Sequence, residues 1–152
     1  MKIENYDFAS LIETWVLLET ESAKLASQRR TQQDIENIRE ALEAYAHKAK
    51  LNQQAIEEDL IFHLEIVEAS KNAVLKSLLL IIRPYIISSL PQLNIYKEKP
   101  ATIINEHAII FEHILAQEPE KAAAAMRIHL KELLDYSQRL KKRKGNGSKD
   151  TD

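Results

Sequence analysis

The sequence contains no cysteine, only two glycines and four prolines among its 152 residues. Without cysteine there can be no disulfide and no thiolate metal site, which is compatible with a reducing cytoplasm. The few glycines and prolines leave little of the turn chemistry that β-rich folds need. The abundant residues are Leu, Ile, Ala, Glu and Lys, which favour helices. The composition therefore predicts a helical protein.

Long apolar runs and a strong net charge are also missing. The most apolar stretch, from Val74 to Leu90, is interrupted by Lys76, Arg83 and Pro84, so it predicts a buried helix rather than a membrane span. The N-terminus lacks the pattern of a signal peptide, and we expect a cytoplasmic protein with no membrane partner. The formal net charge of −2 gives the body of the chain no nucleic-acid footprint.

Hydrophobic periodicity predicts six helices, at about residues 8–28, 31–50, 52–70, 73–90, 101–117 and 119–144. Thr31, with Asp34 three residues later, resembles a capping box at the start of the second helix, and Asn52 is expected to open the third. Pro84 should bend the fourth helix, and residues 91–100 should form the longest loop. These elements predict an all-α antiparallel bundle over residues 1–144, followed by a disordered tail at 145–152.

Two polar residues interrupt the apolar stripe of the third helix. Asp59 and His63 are four residues apart, which places them on one helical face, about 6 Å apart along the axis. Leu60 and Val67 share that face, so it should point into the core. A buried carboxylate is costly unless something pairs with it, and the pair therefore requires partners from elsewhere in the chain.

Two further histidines occupy core-facing positions, His107 on the fifth helix and His129 on the sixth. His47 and His113 have polar neighbours at helical spacing and look peripheral. One divalent cation bound by Asp59 and the three core-facing histidines would account for all four polar side chains. A buried hydrogen-bond network is the alternative, because sequence spacing does not show whether the helices converge.

Two known types of metal-binding bundle can be tested against the sequence. Di-iron carboxylate bundles need Glu three residues before His, and a hemerythrin-like site would need an acidic residue four after it. Neither spacing occurs at any of the five histidines. If a metal is bound, the site is therefore mononuclear.

The sequence resembles the FCD domain, the C-terminal effector-binding domain of FadR-type regulators in the GntR superfamily. The resemblance covers about residues 8–140. Its motifs are Asp-x-x-Phe-His at 59–63, Glu-Ala-Ser-Lys-Asn at 68–72, Glu106-His107 and Ala-Ala-Met-Arg-Ile-His-Leu at 124–130, with Leu-Leu-Glu at 17–19 in the first helix.

The resemblance implies a particular set of site residues. In metal-binding members, one Asp and three His hold a divalent cation beneath an effector pocket, and the matching residues are Asp59, His63, His107 and His129. Zn²⁺ is the first candidate, with Ni²⁺, Mn²⁺ and Fe²⁺ as alternatives. Arg83 matches an arginine that faces the pocket and would hold an anionic effector; its alternative is a helix-surface position.

The sequence departs from the family in two places. Trp15 stands where many relatives have an arginine, which suggests a smaller or more apolar effector held against Trp15; the simpler interpretation of Trp15 is a core anchor. The winged helix-turn-helix domain that precedes this domain in the family is absent from the chain, so DNA contact would need that missing part. The resemblance also implies a homodimer.

The sequence therefore predicts a ligand-sensing domain that binds a metal and a small carboxylate or hydroxy acid and modulates DNA binding. A mononuclear metalloenzyme is the first alternative. It is disfavoured because no further carboxylate is seen to interrupt the apolar stripes and act as a general base. The second alternative is a helical interaction domain without metal.

Overall fold

The computed structural model of the protein describes residues 7–89 and 100–147. Six helices make up this part of the chain: α1 (Phe8–Arg29), α2 (Gln32–Lys50), α3 (Ile56–Ala69), α4 (Ala73–Ser89), α5 (Pro100–Leu115) and α6 (Pro119–Gly147). No strand occurs in the described ranges. The predicted all-α antiparallel bundle is confirmed.

Local sequence signals account for the starts of α2 and α6. The Thr31 side chain accepts from the backbone N–H of Asp34, and Asp34 accepts in return from that of Thr31, so the predicted capping box is present. Pro119 begins α6, where the missing N–H of proline has no cost. Pro84 lies inside α4, where it removes one helical hydrogen bond.

The start of α3 differs from the prediction. Asn52 does not open this helix, which begins at Ile56. Asn52 instead adopts a left-handed conformation with φ of 55°, and its N–H bonds the carbonyl of Ala49 at the end of α2. Asparagine tolerates this conformation better than most residues, so here it ends one helix instead of starting the next.

Two other predictions fall partly outside the described residues. The expected loop at 91–100 lies outside them except for Pro100, which is the first residue of α5. Helix α6 runs to Gly147, three residues into the tail that was expected to be disordered, and residues 148–152 are outside the described ranges. No described helix has both the length and the apolarity needed to cross a membrane.

The core lies around α1, which packs against α3, α4, α5 and α6. Its fully buried side chains include Ile12, Ile38, Phe62 and Ile110. A smaller cluster of Tyr45, Ala49, Ala55 and Ile103 joins α2 to α5 beside it. Because α3, α5 and α6 all meet this interior, a polar group on the inner face of one helix can reach groups on the other two.

Candidate metal centre

The four side chains predicted as metal ligands lie together inside the bundle. One ligand atom from each of Asp59, His63, His107 and His129 can be chosen so that all four atoms lie within 4.8 Å of one another. Helix α3 supplies Asp59 and His63, α5 supplies His107 and α6 supplies His129. The convergence of three helices, which spacing alone left open, is therefore a feature of the fold.

Burial penalises a charged carboxylate at this position, and the position in the helix offsets part of that cost. Asp59 is 1% exposed and His107 is fully buried. Asp59 lies in the first turn of α3, where the positive end of the helix dipole stabilises a carboxylate. The imidazoles of His63 and His107 offset more of the cost of its burial.

The imidazole nitrogens approach one another and the carboxylate closely. Oδ1 of Asp59 is 2.8 Å from Nε2 of His107 and 3.5 Å from Nε2 of His63. Nε2 of His63 is 3.3 Å from Nε2 of His129. Ligands that sit about 2.1 Å from one ion are separated by about 3.0–3.4 Å when adjacent. These separations lie near that range, and the widest pair of the four ligand atoms, within 4.8 Å, would have to close slightly for all of them to share one cation.

His107 and Asp59 lie close together but are not oriented for a hydrogen bond. Although the two atoms are close, Nε2 of His107 has no partner at hydrogen-bonding geometry within the described ranges. Two ligands of one ion point their lone pairs at the ion and not at each other. The His107 ring is held instead by stacking, with its centroid 4.2 Å from that of Phe62 and 4.6 Å from that of Tyr45.

Two glutamates fix the other histidines from behind. Oε2 of Glu19 lies 3.1 Å from Nδ1 of His63, and Oε1 of Glu106 lies 3.4 Å from Nδ1 of His129. This placement suits rings that carry a proton on Nδ1, donate it to the carboxylate and present Nε2 to the centre. In that tautomer the Nε2 lone pairs of His63 and His129 face each other at 3.3 Å, and a shared cation would relieve the contact.

The pKa shifts of Asp59 and His63 also indicate that this centre stabilises positive charge. Burial would raise the pKa of Asp59, but His63 and His107 hold it well below its ordinary value. Burial would lower the pKa of His63, but the carboxylates of Glu19 and Asp59 raise it to about 10. Burial dominates at His107 and lowers its pKa to about 4. Protein groups alone thus stabilise a positive charge at this centre, and the neutral His107 is ready to act as a ligand.

Sequence reasoning missed one buried acidic residue. Glu19 is 4% exposed, so the prediction that no further carboxylate interrupts the apolar stripes is wrong. The signal was available, because Glu19 follows Trp15 by four residues and precedes Ser22 by three on the buried face of α1. Glu106 was noticed as a motif residue, but its bond to His129 was not predicted.

The two residues predicted to bind an effector line a small cavity beside the metal centre. Trp15 is buried, Arg83 is half-buried, and His63 forms part of the same wall. The cavity volume is about 30 Å³, which holds one or two waters. Among the described residues Arg83 has no ion-pair or hydrogen-bonding partner. Its position on the wall favours the pocket interpretation over a plain surface role.

The peripheral histidines behave as predicted. His47 is exposed, and Nδ1 of His113 lies 3.2 Å from Glu118 at the surface. Neither belongs to the group of residues that could hold an ion.

Comparisons with known proteins agree with this architecture. The FCD domain matches residues 10–132. The chain is 28% identical over 134 residues to the HTH-type transcriptional regulator LutR of Bacillus subtilis (strain 168), covering 85% of this chain and 61% of that protein. The chain thus spans about three fifths of that relative's length.

A solved structure shares the fold. McbR/YncC of E. coli superposes with a TM-score of 0.76 at 17% identity, covering 86% of this chain and 64% of that one. Because the FCD profile matches most of the sequence, the predicted resemblance is confirmed. The chain belongs to the FCD domain family.

Proposed function

We propose that this chain is the ligand-sensing domain of a GntR/FadR-type regulator, in which a divalent cation and a small carboxylate effector modulate DNA binding. The observation that carries the proposal is the buried group of Asp59, His63, His107 and His129, with ligand atoms within 4.8 Å of one another. On the wall of the nearby cavity, Arg83 has no ion-pair or hydrogen-bonding partner among the described residues. Such a combination suits an anion that is bound beside a cation.

The donor set favours a borderline divalent metal. Three imidazoles and one carboxylate suit Zn²⁺ first, and Ni²⁺, Mn²⁺ and Fe²⁺ as alternatives. The bound ion would act as a Lewis acid that attracts the effector carboxylate. Glu19 and Glu106 orient His63 and His129 toward the ion, as carboxylates do behind many metal-bound histidines.

The cavity places a constraint on the effector. A volume of about 30 Å³ is too small for a hydroxy acid, so binding requires the wall to move. Helix α4 contributes Leu79, Leu80 and Arg83 to that wall. Within the described part of the chain, its main packing partners are α1 and α3. We infer that α4 shifts outward when the effector enters and that Arg83 pairs with its carboxylate.

Effector binding changes DNA affinity only if it favours one arrangement of the bundle over another. A shift of α4 supplies two such arrangements. The DNA contact itself would come from a winged-helix domain outside these 152 residues, in a cytoplasmic homodimer. Exposed apolar side chains on α4, Val74 at 70% and Leu78 at 41%, give a second copy a surface to cover. Light scattering would measure the dimer.

The enzyme alternative is less well supported by the site. The additional carboxylate, Glu19, bonds the nitrogen of His63 that faces away from the centre. It therefore orients a ligand and is not directed at a reacting group beside the ion. LutR, a relative of this chain, is named as a transcriptional regulator and not as an enzyme.

The test combines metal analysis with effector binding. Protein purified without chelator should contain one divalent ion per chain, and calorimetry should show two- to four-carbon carboxylates and hydroxy acids binding at least tenfold more tightly to the loaded protein than to the chelated protein. Protein that takes up no metal would refute the proposal and favour a metal-free interaction domain. Equal affinities would exclude direct coordination, and turnover of esters or 2-oxo acids would favour the enzyme.

A further inference from the structure

Glu19 forms hydrogen bonds to two side chains, one in the wall of the effector cavity and one in the metal centre. Its Oε1 accepts a hydrogen bond from Nε1 of Trp15 at 3.0 Å, and its Oε2 accepts one from Nδ1 of His63 at 3.1 Å. Trp15, Glu19 and His63 all line the cavity, and His63 also belongs to the group of candidate ligands. One buried carboxylate thus contacts both the cavity wall and the metal centre.

Each of these two bonds depends on the other. Glu19 is only 4% exposed, and a buried charge that loses a hydrogen-bond donor is costly. If Trp15 moves, Glu19 must follow it or lose one of its two donors. If Glu19 moves, the ring of His63 loses the contact that fixes its orientation and its tautomer.

An occupant of the cavity would press on Trp15 as well as on the α4 side of the wall. With a volume of about 30 Å³, it admits a small acid only when a lining side chain is displaced. Trp15 is the bulkiest side chain of that lining, and its indole N–H ends on Glu19. Any occupant that pushes the indole therefore acts on the carboxylate behind His63.

We propose that Glu19 is a positioning residue that couples the effector cavity to the metal centre, through the chain Trp15–Glu19–His63. The inference rests on the proposed function, because it presupposes that the centre binds a cation. Coupling of this kind is reciprocal. Occupancy of the cavity changes metal affinity, and metal binding changes the environment of the indole.

Trp15 is the single tryptophan of the chain, so its fluorescence reports on this link directly. We expect Zn²⁺ alone to change the Trp15 emission of the wild-type protein. Glu19→Gln should weaken Zn²⁺ binding by about 10- to 100-fold, measured by competition with a chelating dye. It should also reduce the emission change at saturating Zn²⁺.

The matched control is Glu106→Gln. Glu106 lies against His129 in the same way, and within the described ranges no hydrogen bond joins it to Trp15. This variant should weaken Zn²⁺ binding as well, yet keep the full emission change at saturation. Glu13→Gln, an exposed change on the same helix, should alter neither quantity.

A double variant separates coupling from simple structural support. The side-chain amide of the Glu19→Gln variant has one accepting oxygen for two N–H donors. Removing the indole donor with Trp15→Phe frees that oxygen for His63, so Trp15→Phe/Glu19→Gln should bind Zn²⁺ about tenfold more tightly than Glu19→Gln. If Glu19 and Trp15 had independent structural roles, the losses of Zn²⁺ affinity caused by the two single substitutions would add in the double variant.

The outcomes distinguish this inference from the proposed function. Wild-type protein that does not bind Zn²⁺ would defeat both. If the wild-type protein binds Zn²⁺ but saturating Zn²⁺ leaves its indole emission unchanged, the coupling is wrong and the proposed function still stands. This measurement uses only the wild-type protein, so it does not depend on whether a variant folds. Unchanged Zn²⁺ affinity in a folded Glu19→Gln, or no recovery in the double variant, would also overturn the coupling.

Discussion

Replacing Asp59 with asparagine removes the one carboxylate of the candidate metal centre while keeping its shape. Oδ1 of Asp59 contacts the ligand nitrogens of both His63 and His107, and an amide oxygen is a much weaker ligand than a carboxylate for Zn²⁺ and similar divalent metals. Loss of a group that only supports a ligand costs 10- to 100-fold in metal affinity. We therefore expect Asp59→Asn to lose at least about 100-fold.

The expected magnitude follows from ligand linkage. An ion at about 1,000 times its Kd stabilises the folded protein by about 4.1 kcal/mol, and after a 100-fold loss the same concentration gives about 1.4 kcal/mol. For a chain of this size, about 2–4 °C of Tm corresponds to each kcal/mol. Zn²⁺ should thus raise the wild-type Tm by about 8–16 °C and that of Asp59→Asn by no more than about 3–6 °C.

The assay is differential scanning fluorimetry with Zn²⁺ and with chelator. The metal-free Asp59→Asn protein also loses a partner of His63, so the informative quantity is the shift within each variant and not the absolute Tm. Asp34→Asn is the control, because Asp34 is a second buried aspartate outside the centre. It should keep the full shift. A full Zn²⁺ shift in Asp59→Asn would refute the assignment of Asp59 as a ligand.

Three further outcomes are expected. Burial would raise the pKa of Asp34, but hydrogen bonds from Lys71 and Thr31 outweigh it and lower that pKa below its ordinary value. Asp34 therefore contributes stability above about pH 4 that is lost as the pH falls through its folded pKa. Urea unfolding should find Asp34→Asn about 1 kcal/mol less stable at pH 7, with a smaller difference at pH 3; a constant difference would contradict this. Gln117 has φ of 56° at the C-terminal end of α5, so Gln117→Gly should stabilise the metal-free protein by about 1 kcal/mol, and an unchanged urea midpoint would argue against strain there. Arg83→Gln should weaken binding of small carboxylates at least tenfold by calorimetry while leaving Zn²⁺ affinity within about threefold; equal carboxylate affinity would exclude Arg83 from the effector site.

The helices were predictable because their apolar residues repeat at helical spacing. Phe8, Ile12 and Trp15 marked α1, and the Thr31 capping box marked the start of α2. The error at Asn52 arose because asparagine serves both as an N-cap and as a left-handed residue after a helix. Local sequence does not distinguish these roles when the hydrophobic pattern between two helices is weak.

The candidate site was only partly predictable. Each histidine could be recognised as core-facing from its own helix, but whether His107 and His129 reach Asp59 depends on how three helices pack. The spacing of residues contains no such information, and the family resemblance supplied it. Glu19 was overlooked because Trp15 and Leu18 define an apolar stripe without it, and a buried glutamate is rare enough to be assigned to solvent.

The ligand residues are widely separated along the chain, which has a kinetic consequence. His107 follows His63 by 44 residues, and His129 follows by another 22. Contacts between such distant segments form late, because loop closure must precede them. An ion held by all three helices would therefore bind after the folding transition state. It would slow the unfolding rate and leave the refolding rate nearly unchanged, so metal supply would set how long a folded molecule lasts.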